Sequence, residues 1–137
     1  DMESYSAVTT GEASVGFMFT PFVYMVQLDH PEFKVVYPKE GLGYGIDGLV
    51  IPTDAKHVDA AHQFLDYLMR PEVAAHNAEM QYYMCVNQAA QEYLSDAYRG
   101  ASVMNVPAEL LADAEFIEDV GATETVYQEI YTAFKNQ

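Results

Sequence analysis

A chain of 137 residues, half of them apolar, carries about one domain's worth of sequence and can bury a core, which excludes a wholly disordered segment. Six Lys and Arg against 21 Asp and Glu leave a net charge of −15, a field that repels nucleic acid and anionic lipid and attracts cations, although an acidic surface also simply keeps a protein soluble. No window approaches the ~18 uninterrupted apolar residues of a membrane helix, and Cys85, the single cysteine, cannot close an intrachain disulfide.

Asp1 opens a polar segment (Glu3, Ser4, Tyr5, Ser6) with neither an initiator methionine nor a signal peptide. The chain is therefore expected to be a section of a longer protein, and this end does not report localisation. Residues 13–19 (ASVGFMF) read as a buried strand, and Thr20-Pro21 then supplies an N-cap with proline at N1 for a helix to about Leu28. Asp29-His30-Pro31 ends that helix, and residues 33–37 form the next strand. Strand, helix and strand in so short a span predict a parallel α/β arrangement rather than hairpins. A loop through Pro38, Gly41, Gly43 and Gly45 follows, then an apolar strand at residues 49–51 closed by Pro52.

Pro52-Thr53-Asp54 offers a cap for an amphipathic helix in which Val58, Ala61, Leu65 and Leu68 share a face, with Phe64 alongside and Asp59, Gln63 and Asp66 turned away. Arg70-Pro71 breaks it and starts a helix from Glu72 to about Gln81. Tyr82-Tyr83-Met84 reads as a loop carrying two rings, residues 88–94 as a helix, and the segment to Asn105 as irregular. A short helix is expected at residues 107–114, and a last one carries Val126, Ile130 and Phe134 beside Tyr127 and Tyr131.

Asp47 is the centre of the candidate chemistry. It lies between Gly45 and Gly48 at the mouth of an apolar strand, where backbone can approach a ligand and few side chains crowd the carboxylate. Phe19, Tyr44, Tyr82 and Tyr83 punctuate loops and strand ends. A carboxylate with aromatic walls suits an organic ammonium, through a charge-assisted hydrogen bond and cation–π contacts. The other reading makes Asp47 a turn cap and the rings core.

Other chemistry is weaker. Gly43, Gly45 and Gly48 match G-x-G-x-x-G, but the run continues into a strand rather than a helix and carries Asp47, which repels phosphate, so a dinucleotide site is not expected. His30, His57, His62 and His76 include no i, i+4 pair, and read as exposed positions rather than metal ligands. No G-x-S-x-G elbow is present, and Glu118-Asp119 are sequence neighbours whose side chains diverge. Cys85 reads as a small apolar core residue. No enzyme, catalytic residue, metal or cofactor is expected.

YPKEG from Tyr37, the Asp47 loop, LVIP, the QFLDYLMRPEVA helix break, Tyr83 ahead of Asn87, and the ending EDVGATETVYQEIYTAFK together resemble the C-terminal part of the spermidine/putrescine (polyamine)-binding proteins of bacterial ABC importers. The resemblance covers nearly all of the chain. It implies an α/β fold, a two-lobed periplasmic-binding-protein-like clamp of type II, present here as its C-terminal half with incomplete sheets. Residues 1–42 would belong to the second lobe, 43–92 to the first, and 93–137 to the return into the second, with the upstream half outside this chain. Unpaired strands would then invite pairing between copies.

Carried over by position, the resemblance makes Asp47 the amine-binding carboxylate and Tyr83 and Phe19 cleft walls, Phe19 standing where the family has tryptophan. Gly45 stands where another tryptophan is usual, a loss Tyr44 would make good, and Ile117 replaces a glutamine. The implied partners are a polyamine and ABC permease subunits, and not nucleic acid. The implied location is extracytoplasmic, in a periplasm or on the outer face of the membrane, lipid-anchored or permease-fused. The same fold with another cation, a sugar or a metal as solute, and an interaction domain that takes no solute, remain the alternatives.

Overall fold

Proline in the first helical turn and small residues on the packing faces set most of the architecture of the computed structural model, which describes residues 2–116 and 118–136. In chain order the regular elements are α1 (Met2–Thr9), α2 (Thr20–Asp29), β1 (Gly43–Tyr44), α3 (Val58–Leu68), α4 (Pro71–Gln81), α5 (Asp96–Gly100), α6 (Ala108–Ala112), β2 (Glu115–Phe116) and α7 (Glu124–Lys135). Short 3₁₀ turns lie at Gln88–Tyr93, Ser102–Met104 and Gly121–Thr123.

Pro21 and Pro71 each sit in the first turn of a helix, where a missing N–H costs nothing. The cap of α2 is Phe19, in extended conformation, one residue earlier than the sequence predicts. α1 corrects the reading of the first segment as merely polar. Its Val8 is buried, it packs on α2, and the Tyr5 hydroxyl donates to Asp29 Oδ2 at 3.1 Å. α3 starts later than expected, because Pro52 to Ala55 close a turn of their own, Ala55 N–H donating to the Pro52 carbonyl at 3.1 Å. Ala61, Leu65 and Leu68 are half-buried as the helical spacing requires, whereas Val58 and Phe64 stay exposed.

The core collects Tyr24, Ala75, Ala78, Ala90, Leu94, Tyr98 and Val103. Ala75 and Ala78 lie one turn apart on α4 and face the 3₁₀ turn that carries Ala90, so three methyl side chains let two backbones approach closely. Asn87 fastens this junction twice: its side-chain oxygen accepts from Ala89 N–H at 3.0 Å and its amide donates to the Met69 carbonyl at 2.8 Å. Glu79 on α4 accepts from Ser95 N–H at 2.6 Å, and Ser95 in turn caps α5 through Tyr98 N–H at 3.3 Å. The helix expected over residues 88–94 is a capped 3₁₀ helix at Gln88–Tyr93, and the segment to Asn105, expected to be irregular, supplies Tyr98 and Val103 to the core.

Burial pushes the Tyr98 hydroxyl pKa up to about 12, with the nearby Cys85, Tyr24 and Glu79 charges adding to the shift. The unfolded chain releases this proton near 10.0, so the native state binds the proton more tightly. The stability that follows is complete below pH 10 and is lost as pH rises toward 12. Urea midpoints should fall across that window, and fall less in Tyr98→Phe; equal declines in both proteins would contradict the assignment.

The sheet differs most from expectation. Residues 13–19, 33–37 and 49–51 form no strand among the described residues, and Val15, Phe17, Val36, Leu49 and Val50 are exposed. Pairing occurs instead inside the glycine loop, where β1 runs parallel to β2 with Gly43 opposite Glu115 and Tyr44 opposite Phe116. A helix closes its hydrogen bonds locally, whereas a strand needs a neighbour, and apolar β-branched sequence alone does not provide one. The described architecture is mostly helical with this one small parallel sheet, in keeping with an α/β fold whose sheets are incomplete in this chain. α7 forms as its stripe predicts, yet Val126, Ile130 and Phe134 all face solvent.

Candidate functional site

The glycines around Asp47 decide its surroundings. Residues 45–50 carry no regular structure and are exposed throughout, so the carboxylate stands in water on a segment tethered at Tyr44 by β1. Leu42 accepts from Glu115 N–H at 2.8 Å just ahead of that tether. Among the described residues Asp47 lies in a stretch without turn or strand.

Tyr44 is 42% exposed and sets its ring edge-on to Phe116, with centroids 5.3 Å apart and planes at 82°. Phe19 is 61% exposed at the start of α2, where its carbonyl accepts from Phe22 and Val23 N–H at 3.0 and 3.2 Å. Tyr83 is 47% exposed immediately after α4, its N–H donating to the Ala78 carbonyl at 3.2 Å. Of the rings singled out in the sequence, Tyr82 alone turns inward. It packs on Tyr24 at 5.1 Å, and Tyr24 meets Tyr98 at 5.6 Å.

Two groups result. Phe19 and Tyr83 hang from one packed body, because Tyr24 of α2 contacts the residue next to Tyr83. Asp47 and Tyr44 belong to the β1 segment, and among the described residues no hydrogen bond or ring contact joins them to Phe19 or Tyr83. Ile117 lies outside the described residues. One hollow, about 480 Å³ at the start of α3, is lined by Lys56, His57, Asp59 and Gln63 and by none of Phe19, Tyr44, Asp47 and Tyr83. A smaller one of about 260 Å³ is lined by Met84, Cys85, Leu94, Tyr98 and Arg99, directly beside Tyr83 in sequence.

His57, His62 and His76 are exposed, and His30 Nδ1 lies 3.3 Å from Glu32 Oε1. Among the described residues no group of His, Cys, Asp and Glu converges as a metal would require. Cys85 packs against the core, its thiol 3.8 Å from the Asn87 carbonyl, in keeping with a small apolar residue. The sequence reading missed the buried tyrosine cluster of Tyr24, Tyr82 and Tyr98. A usable signal was the Tyr82-Tyr83 pair itself, since adjacent rings leaving a helix end must diverge and one of them needs a partner.

Residues 3–105 match the family described as bacterial extracellular solute-binding protein. The chain is 32% identical over 125 residues to the spermidine/putrescine-binding periplasmic protein of Escherichia coli K12, covering 91% of this chain and 36% of that protein. It is 40% identical over 75 residues to the putrescine-binding periplasmic protein of the same organism, covering 55% of this chain and 20% of that one. A Haemophilus influenzae spermidine/putrescine-binding periplasmic protein is 25% identical over 126 residues, 92% of this chain and 35% of its own. The chain thus spans about a third of the length of the curated relatives it matches. No solved structure gives a significant match. With a family match across most of its described length, this chain belongs to the bacterial extracellular solute-binding proteins.

Proposed function

We propose that this chain is the C-terminal part of the solute-binding component of an ABC importer that captures polyamines, spermidine or putrescine, outside the cytoplasmic membrane. The observation that carries the reading is the 32% identity running through 125 residues to a spermidine/putrescine-binding periplasmic protein. The chemistry agrees with it: an exposed carboxylate at Asp47, three exposed rings, and a net charge of −15 suit a polycation. In this reading Asp47 accepts the ammonium hydrogen bonds, Phe19 and Tyr83 wall the cleft, and Tyr44 takes over from the aromatic absent at Gly45. The protein is a binder and not an enzyme.

The complete protein would be a two-lobed clamp of type II, with residues 1–42 in the second lobe, 43–92 in the first and 93–137 returning to the second. Its remaining length would supply strands for residues 13–19, 33–37 and 49–51, where Val15, Phe17, Val36, Leu49 and Val50 are exposed here. Solute would close the lobes and present them to the permease, and the protein would be lipid-anchored, permease-fused or free in a periplasm. Pairing between copies through the same extended segments is the outcome for this chain in isolation.

Calorimetric titration of the full-length protein with spermidine and then putrescine, at low and physiological salt, tests the reading. Micromolar or tighter binding that weakens with salt is the expected result. Absence of heat with both amines, from a folded protein, would leave the family and discard the polyamine.

A further inference from the structure

α4 ends in a left-handed cap, a place that glycine usually takes. Its last residue before the loop, Tyr82, takes left-handed backbone at φ 58°, the one non-glycine residue with positive φ among those described. The Ala78 carbonyl receives three donors there: Tyr82 N–H, Tyr83 N–H at 3.2 Å and the Tyr98 hydroxyl at 3.2 Å. The same hydroxyl reaches the Tyr83 carbonyl, so its one proton is shared between the end of the helix and the residue that follows. Tyr98 is 3% exposed, and the pH at which it ionises is far above neutral, so it remains a donor at every physiological pH.

The left-handed turn has a geometric consequence. It sends the Tyr82 ring inward against Tyr24 and the Tyr83 ring outward into solvent. Tyr24 stands on α2, whose first turn hangs from the Phe19 carbonyl, so both rings flanking the cleft trace back to one buried cluster.

We propose that Tyr98 is a positioning residue for the solute site: its hydroxyl holds the backbone at Tyr83, and its ring, with Tyr24 and Tyr82, sets where the Tyr83 ring stands relative to Phe19. The inference rests on the reading that Tyr83 and Phe19 line a polyamine cleft. Tyr98 touches no solute itself and acts through Tyr83. The exposed ring needs such a hold, because a side chain on an untied loop loses affinity to its own freedom.

The test is a double-mutant cycle on the full-length protein, read by calorimetry with spermidine. Tyr98→Phe keeps the ring and removes one hydroxyl, and should weaken binding by about five- to tenfold. In a Tyr83→Ala background, which keeps the backbone carbonyl but removes the wall, the same change should alter affinity by less than about twofold. A role confined to general stability would give the same loss in both backgrounds and overturn the inference. So would unchanged affinity in Tyr98→Phe while Asp47→Ala still abolishes tight binding, and in that case the polyamine reading stands. A folded wild-type protein that binds neither amine would instead remove the cleft reading, and the positioning role with it. Amide exchange in the ligand-free protein gives a second readout: residues 83–87 should exchange faster in Tyr98→Phe, and unchanged exchange would show that the hydroxyl holds nothing there.

Discussion

Asp47→Ala in the full-length protein should weaken spermidine binding by about 10- to 100-fold, the worth of a charge-assisted hydrogen bond of about 1.5 to 3 kcal/mol. The carboxylate is exposed between Gly45 and Gly48, so its removal leaves no cavity and disturbs no packing, and the loss reads on binding rather than folding. Asp47→Asn separates charge from shape. It retains an acceptor oxygen while losing the attraction for ammonium, and should fall between the wild type and alanine. The salt dependence of binding should also flatten in both variants, because one anionic partner of the polycation is gone. An Asp47→Ala protein whose affinity lies within about threefold of wild type would remove Asp47 from the site.

Ala90→Leu should destabilise the protein by about 1 to 3 kcal/mol. Ala90 has no exposed surface and lies where the 3₁₀ turn meets Ala75 and Ala78 of α4, so three added carbons have nowhere to go without separating the two backbones. The separation would strain the Asn87 bridge to Met69 and, through the end of α4, the turn at Tyr82. Urea unfolding at constant slope reports the loss as a lower midpoint. Ala89→Leu is the contrast, since Ala89 is exposed one position away and the same carbons there meet solvent. Equal midpoints for the two variants would show that α4 and the turn are not in close contact.

Much of the helical structure was legible in the residues themselves. Pro21 and Pro71 mark the starts of α2 and α4, Gln81 marks the end of α4, and the Val126, Ile130, Phe134 spacing marks α7. Each of these depends on hydrogen bonds closed within four residues, and on prolines that act on their own backbone. Residue types and glycine and loop neighbours singled out Asp47, Phe19, Tyr44, Tyr82 and Tyr83, and the family resemblance gave Asp47, Phe19 and Tyr83 their expected places in a cleft. α1 escaped notice because its apolar contacts, Tyr5 and Val8, are too few to mark a face without α2 beneath them. Tertiary structure alone decided which extended segment pairs. Residues 13–19 and 49–51 have the stronger strand composition, yet Gly43–Tyr44 takes the partner, because Glu115–Phe116 lies beside it after a crossover of some seventy residues that no local pattern encodes. It also decided that Tyr82 turns in and Tyr83 out: the two are alike in sequence, and only the left-handed turn, held by a hydroxyl fifteen residues further along the chain, tells them apart.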